Sequence, residues 1–215
     1  MSTKHEQLQL GDLNPLASDD GTSISLVDPA AVSQWIGGSD LTSPEELESF
    51  LQRYHEHIFA AVEAPTIINA HSCAEQGHIR EFLEMDRVLS ANSLVKPFTQ
   101  ASCRVGRWQL RRLRPLRDHR MVKQYLEASD AGRVRSWHTL VYALVLSVYA
   151  LPLRQGLVHF STQVYESLIR NASYRVGLSE GRRADLTQRM ERQAVETTQK
   201  LLTVEDSSHQ GLRVC

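Results

Sequence analysis

Residues 140–153 read Leu-Val-Tyr-Ala-Leu-Val-Leu-Ser-Val-Tyr-Ala-Leu-Pro-Leu, and this run decides the fold class. It falls short of the roughly 20 apolar residues that a bilayer-spanning helix needs, and Pro152 ends it. A helix that is apolar on every face must be enclosed by other helices. The segment from about Trp137 to Ala150 is therefore expected at the centre of a bundle.

The flanking sequence supplies the surrounding helices. Ser43-Pro44-Glu45-Glu46 is a capping box with proline at the first helical position, a specific start signal. Leu47, Phe50, Leu51, Tyr54, Ile58 and Val62 follow at steps of three and four, which gives one apolar face. Pro65 is expected to interrupt or kink that helix. Further stripes run through Ile79, Phe82, Leu83 and Leu89, then Phe98, Ala101, Val105, Trp108 and Leu113, then Met121, Val122, Tyr125 and Leu126. Beyond Pro152, Leu153, Leu157, Phe160, Val164, Leu168 and Ala172 define another helix, and Ser179 can cap a last one carrying Leu186, Met190, Ala194 and Leu201. No segment shows sustained period-two alternation. The expected fold is all-α: a single multi-helix bundle of about seven to eight helices around a central apolar helix. Residues 1–43, with a short helix at Ala30–Ile36, form a poorly ordered N-terminal segment. Residues 44–202 form the helical domain, and 203–215 a polar, mobile tail.

The chain has 215 residues, 41% hydrophobic and 23% charged, enough for one sizeable core. Its net charge of -1, from 24 Lys+Arg and 25 Asp+Glu, gives no global field for a polyanion or a membrane. Cys73, Cys103 and Cys215 are odd in number and widely spaced, which favours a reducing compartment over a disulfide framework. The first twenty residues lack the apolar core of a signal peptide. A soluble, cytoplasmic protein is expected.

Catalytic signatures are missing. There is no GxxxxGK[ST], no GxGxxG after a strand, no HExxH and no GxSxG, so neither nucleotide hydrolysis nor a nucleophile is assigned. His55/His57 and His71/Cys73 are the tightest ligand groupings. Residues two apart on a helix point to opposite sides, so no metal site is assigned. The strongest local anomaly is basic. Arg104, Arg107, Arg111, Arg112, Arg114, Arg117, Arg120 and Lys123 are accompanied by one acid, Asp118. Such a run is either a solvated helix face or a docking surface for an acidic protein or nucleic acid. Only Trp108 interleaves it, which gives little for bases to stack on.

Three stretches together resemble the UreF family of urease accessory proteins. LESFLQRYHEHIFAAVEAPTIINAH (47–71) is similar to one block of that family. EFLEMDRVLSANSLVKPFTQASCRVGRWQLRRL (81–113) is similar to a second, with Asp86, Leu89, Ser102, Gly106 and Arg107 on matching positions. His138, the apolar helix, ALPLRQGL (150–157) and the helix through Ser173 and Arg175 to Leu178 are similar to a third. The sequence departs from the family at LNPLASDDGTSISLVDP (13–29) and at GLSEG (177–181), where UreF proteins carry a Pro/Gly/aromatic segment and a Pro-Leu-Gly-Gln-Thr turn.

The resemblance implies a non-catalytic, dimeric, all-α scaffold. In that family the scaffold joins the UreD/UreH accessory protein, recruits the GTPase UreG and serves nickel insertion into apo-urease. It implies no cofactor bound directly, nickel and GTP being handled by the partners. It points to Arg107 and Arg111 on the basic face, His138 at the start of the central helix, Glu180 with Arg182 at the late turn, and Leu212 with Arg213 in the tail as partner contacts. The second reading, drawn from charge alone, is a basic helical module that binds nucleic acid or an acidic protein through Arg104–Lys123.

Overall fold

The computed structural model describes residues 29–33, 38 and 40–211, and among these it is helical throughout, with no strand. A short α1 (Pro29–Ser33) comes first; residues 34–36 of the helix expected there lie outside the described residues. The capping box then opens α2 (Pro44–Tyr54) as the sequence predicts. The Glu46 backbone N–H donates to Ser43 Oγ at 3.2 Å, and Glu46 Oε2 accepts from the Ser43 N–H at 2.9 Å. Two otherwise orphaned donors are satisfied reciprocally.

Pro65 does not interrupt this helix. The rod instead winds into π-helical turns over His55–Glu63 and returns to α-helix as α3 (Ala64–Gln76). At the junction the Ala64 N–H donates to the Phe59 carbonyl, five residues back. Pro65 occupies the first turn of α3, immediately after the change of winding. The change of winding keeps Tyr54, Ile58, Phe59, Val62 and Glu63 all turned inward.

The remaining elements are α4 (Ile79–Ala91), α5 (Thr99–Arg112), α6 (Arg120–Asp130), α7 (His138–Val148), α8 (Leu153–Ser173) and α9 (Glu180–Gly211). Every residue of α7 from His138 to Leu146 is buried. α3 and α5 flank α7 and α4 touches it, while α9 lies along α8. The central helix expected from residues 140–153 is the bundle centre. The stripes on the other helices turn inward: Phe82 and Leu89, Val105 and Leu110, Tyr125 and Leu126, and Leu157, Phe160 and Val164 are buried. Ser179 starts α9, accepting from the Arg183 N–H on its carbonyl at 2.9 Å and from the Arg182 N–H on Oγ at 3.4 Å. α9 continues through position 203, expected as the start of the tail, to Gly211. No helix among the described residues is long and apolar enough to cross a membrane.

Candidate docking face

The surface of interest depends on how residues 131–137 are held between α6 and α7. Asp86, on α4 and 2% exposed, is the anchor. Its carboxylate accepts from the Tyr125 hydroxyl at 3.0 Å, the Arg135 N–H at 2.8 Å and the Ser136 N–H at 3.0 Å. Burial and the Asp86 charge push the Tyr125 hydroxyl well above its ordinary pKa, so it remains a donor. Neighbouring bonds extend the seam. Ser136 Oγ donates to Ser129 Oγ at 2.7 Å, Trp137 Nε1 donates to Ser90 Oγ at 3.0 Å, and the His138 N–H donates to Ser102 Oγ at 3.1 Å.

Gly106 makes the seam sterically feasible. A Cβ at this position would lie 1.9 Å from the Ser136 carbonyl oxygen and 2.9 Å from both His138 N and Trp137 C. All three are backbone atoms, so only glycine lets the loop reach α5. The loop also accepts a left-handed residue, Ser136 at φ 60°, an unusual conformation for a non-glycine. Three bonds into Asp86 and Ser129 hold it there.

This seam brings two basic segments onto one face. On α5, Arg104, Arg107 and Arg111 are exposed, and their steps of three and four align them along one side. From the loop, Arg133 and Arg135 are exposed as well. Arg107 and Arg135 both act on Cys103: burial and the Asp86 charge push its thiol up to about 11, and the two guanidiniums pull against that shift. A thiol held protonated is a poor nucleophile. Arg112 stacks over the Trp108 ring at 4.9 Å, and Arg114 pairs with Asp130 at 3.4 Å.

The other expected contact residues fall elsewhere. His138 is 2% exposed, its ring packed against Tyr142 and Phe160. Burial lowers its pKa to about 4. His138 is thus a neutral core residue, not part of a surface, because the helix it opens is enclosed on all sides. Glu180 and Arg182 are exposed at the start of α9. Arg182 lies 3.5 Å from Glu45 of α2, and Glu180 lies 3.5 Å from Arg183. Arg189 adds a bidentate contact to Glu48 and a 3.2 Å contact to Asp185. The late turn is therefore tied electrostatically to α2, apart from the α5 face. Leu212 and Arg213 lie outside the described residues. Arg107, Arg135 and Asp86 were legible as charges but not as one assembly, since only the folded chain makes them neighbours.

The first histidine pair is split between core and surface. His55 is buried, its Nδ1 2.6 Å from the Tyr165 hydroxyl and its Nε2 2.8 Å from Thr197 Oγ1, whereas His57 is exposed. His71 lies 3.5 Å from Glu75. Among the described residues no three His, Cys, Asp or Glu side chains converge as metal ligands would.

One buried carboxyl escaped the sequence reading. Glu63, at the end of the π-helical turns, accepts from the Tyr54 hydroxyl at 2.9 Å. Burial pushes its pKa up to about 7, with the Tyr54 bond pulling the other way. The fold thus prefers protonated Glu63. That contribution is complete below the unfolded value near 4.5 and is lost as the pH rises through 7. Glu63→Gln, neutral at every pH, should therefore gain on the wild type as the pH climbs. At pH 8 it is expected to be more stable by ~2 kcal/mol. Urea unfolding of both proteins between pH 4 and 8 checks this; parallel stability profiles would refute it.

Comparison with known proteins completes the picture. The UreF family model matches residues 41–178 of the chain, from the strand-free lead into α2 to the turn before α9. The chain belongs to the UreF family. A urease accessory protein UreF from Sporosarcina pasteurii is 20% identical over 184 residues, spanning 84% of this chain and 91% of that one. Within the UreF match, Asp86, Ser102 and Gly106 are the residues that clamp the 131–137 loop. Arg107 beside them faces outward. That block of the UreF-like sequence therefore builds a surface as well as a core.

Proposed function

We propose that this chain is a urease accessory protein that works without catalysis, as a maturation scaffold. It joins a UreD/UreH-like protein, and the pair recruits a UreG-like GTPase, so that nickel is delivered to apo-urease. The scaffold acts as a homodimer in the cytoplasm. Nickel and GTP are handled by the partners, and the chain binds neither directly. The observation that carries this reading is the UreF match over 41–178, which covers the central helix and the clamp that shapes the basic face. The chemistry is consistent with it. The buried Asp86, Glu63 and His55 are hydrogen-bonded inside the core, and what the molecule offers outward is charge: Arg107 and Arg111 on α5, Glu180 and Arg182 at the start of α9. The tail residues Leu212 and Arg213 are assigned to the UreD/UreH-like partner.

Reconstitution tests the proposal. The chain is mixed with apo-urease, the UreD/UreH and UreG homologues, nickel and GTP. Urease activity should appear, and omission of the chain should abolish it. Correctly folded protein that fails to co-purify with either homologue would sink the assignment.

A further inference from the structure

Arg104, Arg107 and Arg111 on α5, with Arg135 on the 131–137 loop beside them, form a face that takes part in no ion pair among the described residues. No Asp or Glu occurs between residues 99 and 117 or between 131 and 137. Asp86, the carboxylate of the seam, is buried and spends its oxygens on Tyr125 and on the Arg135 and Ser136 N–H groups. The neighbouring ion pair, Asp130 with Arg114, neutralises a different arginine. Like charges held side by side destabilise the fold that holds them. The loop is nevertheless pinned so that Arg135 adds to the charge beside Arg107.

We infer that this face is a docking site for an acidic helix of another protein, one that presents Asp or Glu side chains at i, i+3 and i+7. The spacing is set by α5 itself. Arg104, Arg107 and Arg111 rise along one side of a helix over about 10 Å, which an antiparallel or parallel acidic helix matches carboxylate for guanidinium. Arginine supports this pairing with two parallel N–H donors per carboxylate. Arg135 widens the face to one side, so the occupant is gripped across its width as well as along its length.

A nucleic acid fits less well. Trp108, the aromatic of this stretch, already carries the Arg112 guanidinium 4.9 Å from its ring centre, and a half-buried ring so occupied gives a base little to stack on.

The test uses the full chain and two labelled probes: a Glu/Ala helical peptide with glutamates at i, i+3 and i+7, and a duplex DNA of equal charge. Fluorescence anisotropy should show peptide binding that weakens steadily with added salt, and weaker binding of the DNA. The triple variant Arg104→Glu, Arg107→Glu, Arg111→Glu should lose peptide affinity by about ten-fold or more. Arg135→Glu alone should lose several-fold, which a face built only from contiguous sequence would not show. Arg170→Glu with Arg192→Glu, on α8 and α9, serves as the control and should leave binding unchanged. Melting curves establish that each variant is folded. Should one of the α5 variants not fold, Arg107→Lys with Arg111→Lys keeps the charge, loses the fork, and is expected to weaken binding several-fold. Tighter binding of the duplex than of the peptide, or an equal loss in the control variant, would overturn the inference.

Discussion

Gly106→Ala is expected to be among the most damaging single-methyl changes in this protein. The added carbon would sit 1.9 Å from the Ser136 carbonyl oxygen, well inside contact distance. Overpacking usually costs about 1–3 kcal/mol when side chains can move aside. Here the obstacles are backbone atoms of Ser136, Trp137 and His138, and each is fixed by another contact. Ser136 N–H is bonded to Asp86, Trp137 Nε1 to Ser90, and His138 N–H to Ser102. Relief requires α5 to move away from α7 or the loop to leave Asp86. We expect a loss of about 3 kcal/mol or more, which for a chain of this length lowers the melting temperature by roughly 6–12 °C. Differential scanning calorimetry checks it; an alanine variant melting within a degree or two of the wild type would show that the close approach is not needed.

Asp86→Ala should be comparably severe for a different reason. It leaves two backbone N–H groups and the buried Tyr125 hydroxyl without an acceptor. Each unsatisfied buried donor costs about 1–3 kcal/mol, and the site is too enclosed for water to replace the carboxylate freely. A total loss of about 3–5 kcal/mol is expected. Asp86→Asn keeps one acceptor oxygen but turns an N–H2 group toward a donor, so its loss should be intermediate. The order wild type, Asn, Ala in urea midpoint is the measurement. An Ala variant with the wild-type midpoint would mean the loop is held by other contacts. Because Arg135 is tethered through its own N–H, both variants should also weaken binding at the α5 face relative to the wild type.

Much of the architecture was legible before folding because it rests on local or one-dimensional signals. The capping box at Ser43 needs four residues. The stripes from Leu47 to Val62 and from Leu153 to Ala172 need only helical periodicity, and the enclosed position of α7 follows from its lack of any polar face. The π-helical turns were not legible. Pro65 predicts a disturbance, but whether the chain bends or rewinds upstream depends on which winding buries Phe59, Val62 and Glu63 together. His138 shows the same limit at the site. Its position was correct, yet a histidine at a helix start looks the same in sequence whether the helix end is wet or enclosed.

The sequence by itself determined the helices, the central position of 140–153, the UreF likeness and the concentration of arginine after residue 104. Those properties follow from local propensity, from apolar periodicity and from residue order, none of which needs a neighbour in space. The tertiary structure alone decided which charges act together. Asp86, Gly106 and Ser136 lie on three separate elements, and their contact is a long-range event governed by hydrogen-bond geometry and by the space a missing Cβ leaves. Through that contact Arg135 arrives beside Arg107, and a basic stretch of chain becomes a two-sided face.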